Sequence, residues 1–153
     1  MKYWLMKTEP DVYSIDSLAR DHTTWWEGVR NFQARNFMSQ GMAEGDLVLF
    51  YHSSCEPPGV AGLARVSKRA EPDQTQFDKK SEYYDAKATL EKPPWFCVQV
   101  EFLERFKNFV PLADIRAARG LADMVLLQKG SRLSVQPAEK KHFEIIKKLG
   151  TAP

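Results

Sequence analysis

The chain is 153 residues long, enough for one domain with a real core. Its 43% hydrophobic and 27% charged content is ordinary for a soluble globular protein, and a net charge of +2 is not that of a protein gripping many phosphates. No apolar run approaches the ~20 residues of a membrane span, the start Met1-Lys2-Tyr3-Trp4-Leu5-Met6-Lys7 is too short for a signal peptide, and Cys55 and Cys97 show neither metal spacing nor a CxxC pair.

These features lead us to expect a cytoplasmic protein (nuclear in a eukaryote) with reduced thiols, no membrane association, and no metal or other cofactor.

Tyr3 to Lys7 reads as a strand, with Trp4 and Met6 on one face and Leu5 and Lys7 on the other. Glu9 would continue the second face. Ser14 can cap a short helix running through Leu18. Thr23 to Trp26 looks extended. Asn31 is a plausible cap for a helix to about Ser39, with Ala34, Phe37 and Met38 as its buried face. Gly41 and Gly45 open a turn.

Asp46 to His52 is apolar on both faces, which marks a central strand. Residues 53–59 form a loop by composition, and Val60 to Lys68 a strand in which Gly62 suggests a bulge or a close approach. Glu71 to Pro94 is polar yet carries Phe77, Tyr83, Tyr84 and Leu90, so it reads as an excursion folded back over the body. Trp95 to Phe106 is the clearest strand. Pro111 at the first helical position would start a helix over 112–118, ended by Gly120. Ala122 to Gln128 reads as a helix and Arg132 to Gln136 as a strand that presents Arg132 and Ser134 from one face. Pro137 would open a last helix ending before Gly150, with Phe143, Ile146 and Leu149 buried. The class implied is α+β around a small mixed or antiparallel barrel, as one domain over 1–153.

The stretch from Trp25 to Phe37 concentrates chemistry. Two indoles offer flat faces, Gly28 leaves room for close approach, and Arg30, Asn31, Gln33 and Arg35 supply donors. Such planes beside amides and guanidinium groups suit a heterocycle attached to a phosphate. The plainer alternative is core tryptophan with a solvated rim. GxSxG, HExxH, Walker A and GxGxxG patterns are absent. His52 beside Ser53 could form a nucleophilic pair, although strand neighbours point to opposite faces. His142 reads as structural. Lys7 and Glu9 could be an acid–base pair or a surface ion pair. Asp73, Asp78 and Asp85 are too scattered to argue for a metal site.

Eight ordered segments carry a resemblance: Lys7-Thr8-Glu9-Pro10, Trp26-Glu27-Gly28-Val29-Arg30-Asn31, Ala34-Arg35-Asn36, Phe50-Tyr51-His52-Ser53, Gly59-Val60-Ala61-Gly62, Tyr84-Asp85, Pro94-Trp95 and Arg132-Leu133-Ser134-Val135-Gln136-Pro137. In this order they resemble the EVE domain. That resemblance implies a PUA-like fold, a twisted mixed or antiparallel β-barrel with peripheral helices, and kinship with the YTH and ASCH domains. It also implies a reader of modified bases, notably modified cytosine in DNA, with modified RNA bases as the other possibility. As partners beside nucleic acid the resemblance implies modification-dependent restriction or stress-response proteins, which bacterial members of the family often accompany.

On this reading the chain is a non-enzymatic reader enclosing one modified base. Trp26 would stack and Gly28 would leave room beside it. Arg30, Asn31, His52, Ser53, Arg132 and Ser134 would meet base edges or phosphate, and Lys7 and Tyr51 would complete the rim. The alternatives are a hydrolase of modified nucleosides or nucleic acid using Lys7 and Glu9, in the manner of ASCH relatives, and a protein-interaction module.

Overall fold

Tyr3–Thr8 forms β1 and Leu47–His52 forms β3, and the two run parallel with Leu5 beside Leu49. Between them lie α1 (Ile15–Asp21), the three-residue β2 (Thr23–Trp25) and α2 (Phe32–Asn36), which continues as a π-turn over Phe37–Gly41. β4 (Gly59–Pro72) and β5 (Phe96–Pro111) are long antiparallel partners, joined by the excursion that contains a 3-10 turn at Gln74–Phe77. Then come α3 (Leu112–Ala117), a 3-10 turn at Val125–Leu127, β6 (Val135–Ala138) and α4 (Lys140–Thr151). This computed structural model describes residues 1–153.

The strands make one six-stranded mixed sheet in the order β2-β5-β4-β3-β1-β6. The barrel expected from the sequence is not closed: β2 and β6 are its two edges and do not pair. Each strand's alternation fills two separate cores. Trp4, Met6, Val48 and Phe50 pack on one face with α1, Trp26 and the π-turn. Leu5, Leu49, Tyr51 and Phe106 pack on the other with α3 and α4. β3 is apolar on both sides because both faces of its sheet are covered. Gly62 meets the expectation of a close approach: the ladder shifts register there, and a Cβ would collide with the Glu104 carbonyl and lie 2.9 Å from Ile15.

Local signals placed the caps well. The Ser14 hydroxyl accepts from Ser17 N–H, and the Asn31 side chain accepts from Ala34 N–H. The C-terminal third differs from the sequence reading. Residues 122–128 contain only a single 3-10 turn, since Val125–Leu127 is all that winds. β6 begins at Val135, so Arg132 and Ser134 sit on a loop. Pro137 belongs to this edge strand, where a missing N–H is tolerated. Glu139 caps α4, which runs on through Gly150. Gly150 is buried because the Phe106 ring occupies the space a side chain would need, while Leu149 turns outward. Pro111 likewise ends β5 and takes the capping position of α3.

Candidate functional site

Five segments converge at one end of the sheet. β1 ends at Lys7 and Thr8, β3 leads into Ser53, and Lys7 N–H donates to the Ser134 carbonyl (2.7 Å) while Ser53 N–H donates to that of Thr8 (2.9 Å). These bonds extend the pairing past the strand ends and hold the 131–134 loop beside β1. The loop after β2 and the excursion close the opposite side. Between them lies a cleft of about 680 Å³, within the range that small-molecule and base pockets occupy. It is lined by Lys7, Trp26, Gly28, Arg30, Ser53, Arg132 and Ser134 among the residues singled out from the sequence.

Trp26 lies at the back of this cleft. Its backbone N–H donates to the Val98 carbonyl (2.8 Å), continuing β2. Its ring meets Phe50 edge to face at 5.5 Å, and the residue is 7% exposed, so most of the indole belongs to the core. Trp25, Glu27 and Tyr83 also line the cleft. Gly28 adopts φ +89°, and a Cβ there would lie 2.7 Å from the Tyr83 ring. The room beside Trp26 is thus filled by the excursion, and the positive φ itself excludes most side chains.

Asp73 fastens the excursion. Fully buried, it accepts from Gly28 N–H (2.8 Å), Arg30 Nη1 (3.0 Å), Thr75 N–H (2.8 Å) and the Thr75 hydroxyl. Burial alone would raise its pKa, but these donors together outweigh it and hold the carboxyl below its ordinary range. Arg30 spends all five N–H donors inside the protein, on the carbonyls of Val29 and Tyr83, the Thr75 hydroxyl and Asp73. It forms part of the wall and holds no donor free for a ligand. A stack runs through the same region: Arg35 lies over Phe32, Phe32 stacks on Trp95 at 4.7 Å, and Arg30 sits between Trp95 and Tyr83. The Trp95 indole N–H donates to Asp85 (2.8 Å).

Lys7 is one of two unpaired cations on the rim. No carboxylate lies within ion-pair distance, Glu9 included, and its ammonium rests 5.6 Å from the Tyr51 ring centre. Burial lowers its pKa. Glu27 shifts upward through desolvation and the nearby Asp73 charge, opposed by Arg30. Arg132 makes no ion pair or hydrogen bond with the rest of the chain and projects from an exposed loop position.

Three of the residues singled out lie off the cleft. Tyr51 is buried in the α3–α4 core. His52 uses Nε2 to accept from Ile15 N–H (3.1 Å), so it anchors the start of α1, and burial lowers its pKa. This leaves no nucleophilic His52–Ser53 pair. Asn31 caps α2 and lines a neighbouring cleft. The sequence reading assigned no role to Glu27, Tyr83, Ser131 or Asp73, and it noted Trp25 only as the second indole of the Trp25–Phe37 stretch. The aromatic content of the excursion was the one available signal. Away from the site, Asp123, Glu139 and His142 cluster within 4.8 Å. His142 Nδ1 accepts from Glu139 N–H, so Nε2 carries the hydrogen and donates to Asp123 (2.8 Å). With Lys141 on the other Asp123 oxygen, the trio is closed by its own bonds, which pull the Asp123 carboxyl far down.

A six-stranded mixed sheet packed on both faces, with a polar-rimmed cleft at one end, places this chain in the class of α+β domains with a PUA-like fold. The chain belongs to the EVE domain family, whose model matches residues 2–149. It is 40% identical over 163 residues to human thymocyte nuclear protein 1, covering 94% of this chain and 72% of that protein. Against the chicken protein it is 38% identical and spans 66% of that length. Among solved structures it resembles a Pseudomonas syringae protein (TM-score 0.92, 49% identity, 96% of this chain and 98% of that one). It also resembles the human THYN1 protein in complex with DNA containing 5-methylcytosine (TM-score 0.91, 39% identity, 100% and 99% coverage). An ASCH protein from Zymomonas mobilis shares the fold at TM-score 0.56 and 7% identity.

Proposed function

We propose that this chain binds DNA carrying a modified cytosine and encloses that base in the cleft backed by Trp26. The observation that carries the reading is the cleft itself: about 680 Å³, an indole at its back, and the unpaired cations Lys7 and Arg132 at its mouth. The human relative whose complex contains 5-methylcytosine DNA aligns over the whole chain and supports it. A base inside a duplex exposes only its edges, so entry needs a flipped base or a single strand. Ser53 and Ser134 offer hydroxyls to the base edge, and Lys7 and Arg132 reach toward phosphate. Arg30 and Gly28 act by holding the wall.

A methyl group filling an apolar niche contributes about 0.8 kcal/mol, or roughly fourfold in affinity. Titrating labelled single- and double-stranded oligonucleotides containing cytosine, 5-methylcytosine or 5-hydroxymethylcytosine tests this. A several-fold preference for a modified strand is expected. Equal affinity for all three would end the reading. The unpaired, burial-depressed Lys7 also fits a general base, so the same mixtures should be assayed for released base or cleaved strand. Turnover abolished by Lys7→Met would replace the reader with a hydrolase.

A further inference from the structure

A second cleft of about 580 Å³ adjoins the first, and nothing in the base-binding reading uses it. Ser131 and Arg132 line both clefts, so the 129–134 loop is the ridge between them. The far side presents the amides of Asn31, Gln33 and Gln128 and the ammonium of Lys129. Asn31 commits only its oxygen, to Ala34 N–H, which leaves its NH2 free. Gln33, Gln128, Lys129 and Arg132 make no side-chain bond to the rest of the chain. The ridge also carries an anomaly. The Ser131 hydroxyl is buried and is the sole buried side-chain polar atom without a hydrogen-bond partner. Such orphans are rare in folded proteins and need a cause.

We propose that the second cleft takes the nucleotide directly flanking the enclosed base, with the linking phosphodiester crossing the Ser131–Arg132 ridge. The inference rests on the first cleft holding the modified base. The chemistry matches at each point. The phosphodiester would cross directly over the buried Ser131 hydroxyl, which has no acceptor within the chain. Arg132 and Lys129 flank that crossing as free cations. Gly130, at φ +78° with no atom within 4 Å of a Cβ, leaves the ridge backbone open to close approach. Beyond it the side-chain amides can donate to and accept from a base edge, so this cleft would read the neighbouring base. The protein would then recognise a two-nucleotide step.

The test uses a short single-stranded oligonucleotide with one 5-methylcytosine, its unmethylated twin, and versions with a neutral methylphosphonate at the linkage 5′ or 3′ of that base. Lys129 and Gln33 are exposed and touch only the second cleft, so Lys129→Ala and Gln33→Ala should fold normally. Lys129→Ala is expected to weaken methylated and unmethylated strands alike by about three- to tenfold and to lower the salt slope by about 1. One of the two methylphosphonates should cause a similar loss in the parent and no further loss in Lys129→Ala. Gln33→Ala should flatten the preference among the four flanking bases. The inference is overturned if Lys129→Ala binds like the parent, if its penalty adds fully to both methylphosphonates, or if flanking preference survives Gln33→Ala. Each of these leaves the methyl preference intact and the base-binding reading standing. A parent protein that binds strands with cytosine, 5-methylcytosine and 5-hydroxymethylcytosine equally overturns both.

Discussion

Replacing Asp73 by Asn isolates how the cleft is held together. The native carboxylate divides its work. Oδ1 accepts from both Thr75 groups, and Oδ2 accepts from Gly28 N–H and Arg30. An asparagine oxygen can keep one of these sets, but its NH2 then faces the donors of the other. Asp73 is fully buried and Arg30 keeps 22% exposure, so the guanidinium is left largely desolvated with a donor opposite it. Breaking one partner of a buried pair costs about 3–5 kcal/mol. Partial access of water to Arg30 and the Thr75 bonds that survive reduce this to roughly 2–3 kcal/mol.

A domain of this size loses about 2–4 °C per kcal/mol, so Tm should fall by roughly 4–12 °C. Thermal unfolding followed by tryptophan fluorescence measures the shift, and urea unfolding the free-energy loss. Binding of the methylated strand should drop as well, because Tyr83 and Gly28 would separate. The pH dependence follows from the depressed pKa. The stabilisation is present above the unfolded aspartate value of about 3.9 and is lost as pH falls through the lower folded value. Asp73→Asn should therefore remove part of the parent's acid-side decline. A loss under about 0.5 kcal/mol with unchanged binding would show that the excursion is held by other contacts, and the account of the wall would fail.

Trp26→Ala should destabilise by about 3–5 kcal/mol, because most of the ring is core, whereas Trp26→Phe should stay folded and lose affinity for modified and unmodified strands alike; unchanged binding by the folded Phe variant would move the base elsewhere. His52→Ala should cost about 1 kcal/mol through the lost acceptor of Ile15 N–H and leave affinity intact, which calorimetry and titration can check together. Because the His52 pKa is lowered in the fold, its contribution is present above the unfolded value of about 6.5 and declines as pH falls below it, so the variant's stability should vary less with pH in that window. Few phosphates meet the two adjoining clefts, where Lys7, Lys129 and Arg132 are the free cations, so the log–log salt slope should be near 2–4 charges' worth and should fall by about 1 in Arg132→Ala; a slope typical of many contacts would place the DNA elsewhere.

What the residues determined alone is local. Alternation assigned Trp4 and Met6 to one face and Leu5 to the other, and Ser14 and Asn31 announced their helices, because side-chain period and capping act between near neighbours in the chain. The ordered motifs also marked Lys7, Trp26, Ser53, Arg132 and Ser134, which the fold gathers into one cleft.

Tertiary structure decided the rest. Whether the sheet closes depends on how twist accumulates between β2 and β6, and no single strand encodes that sum. Where β6 begins depends on its ladder with β1, which runs out at Met6 opposite Val135 and leaves Arg132 and Ser134 on a loop despite their alternating pattern. The role of Arg30 was hidden for the same reason: guanidinium chemistry in the sequence promises donors, and only the arrival of Asp73, Thr75 and Tyr83 from more than forty residues away shows that every donor is already used.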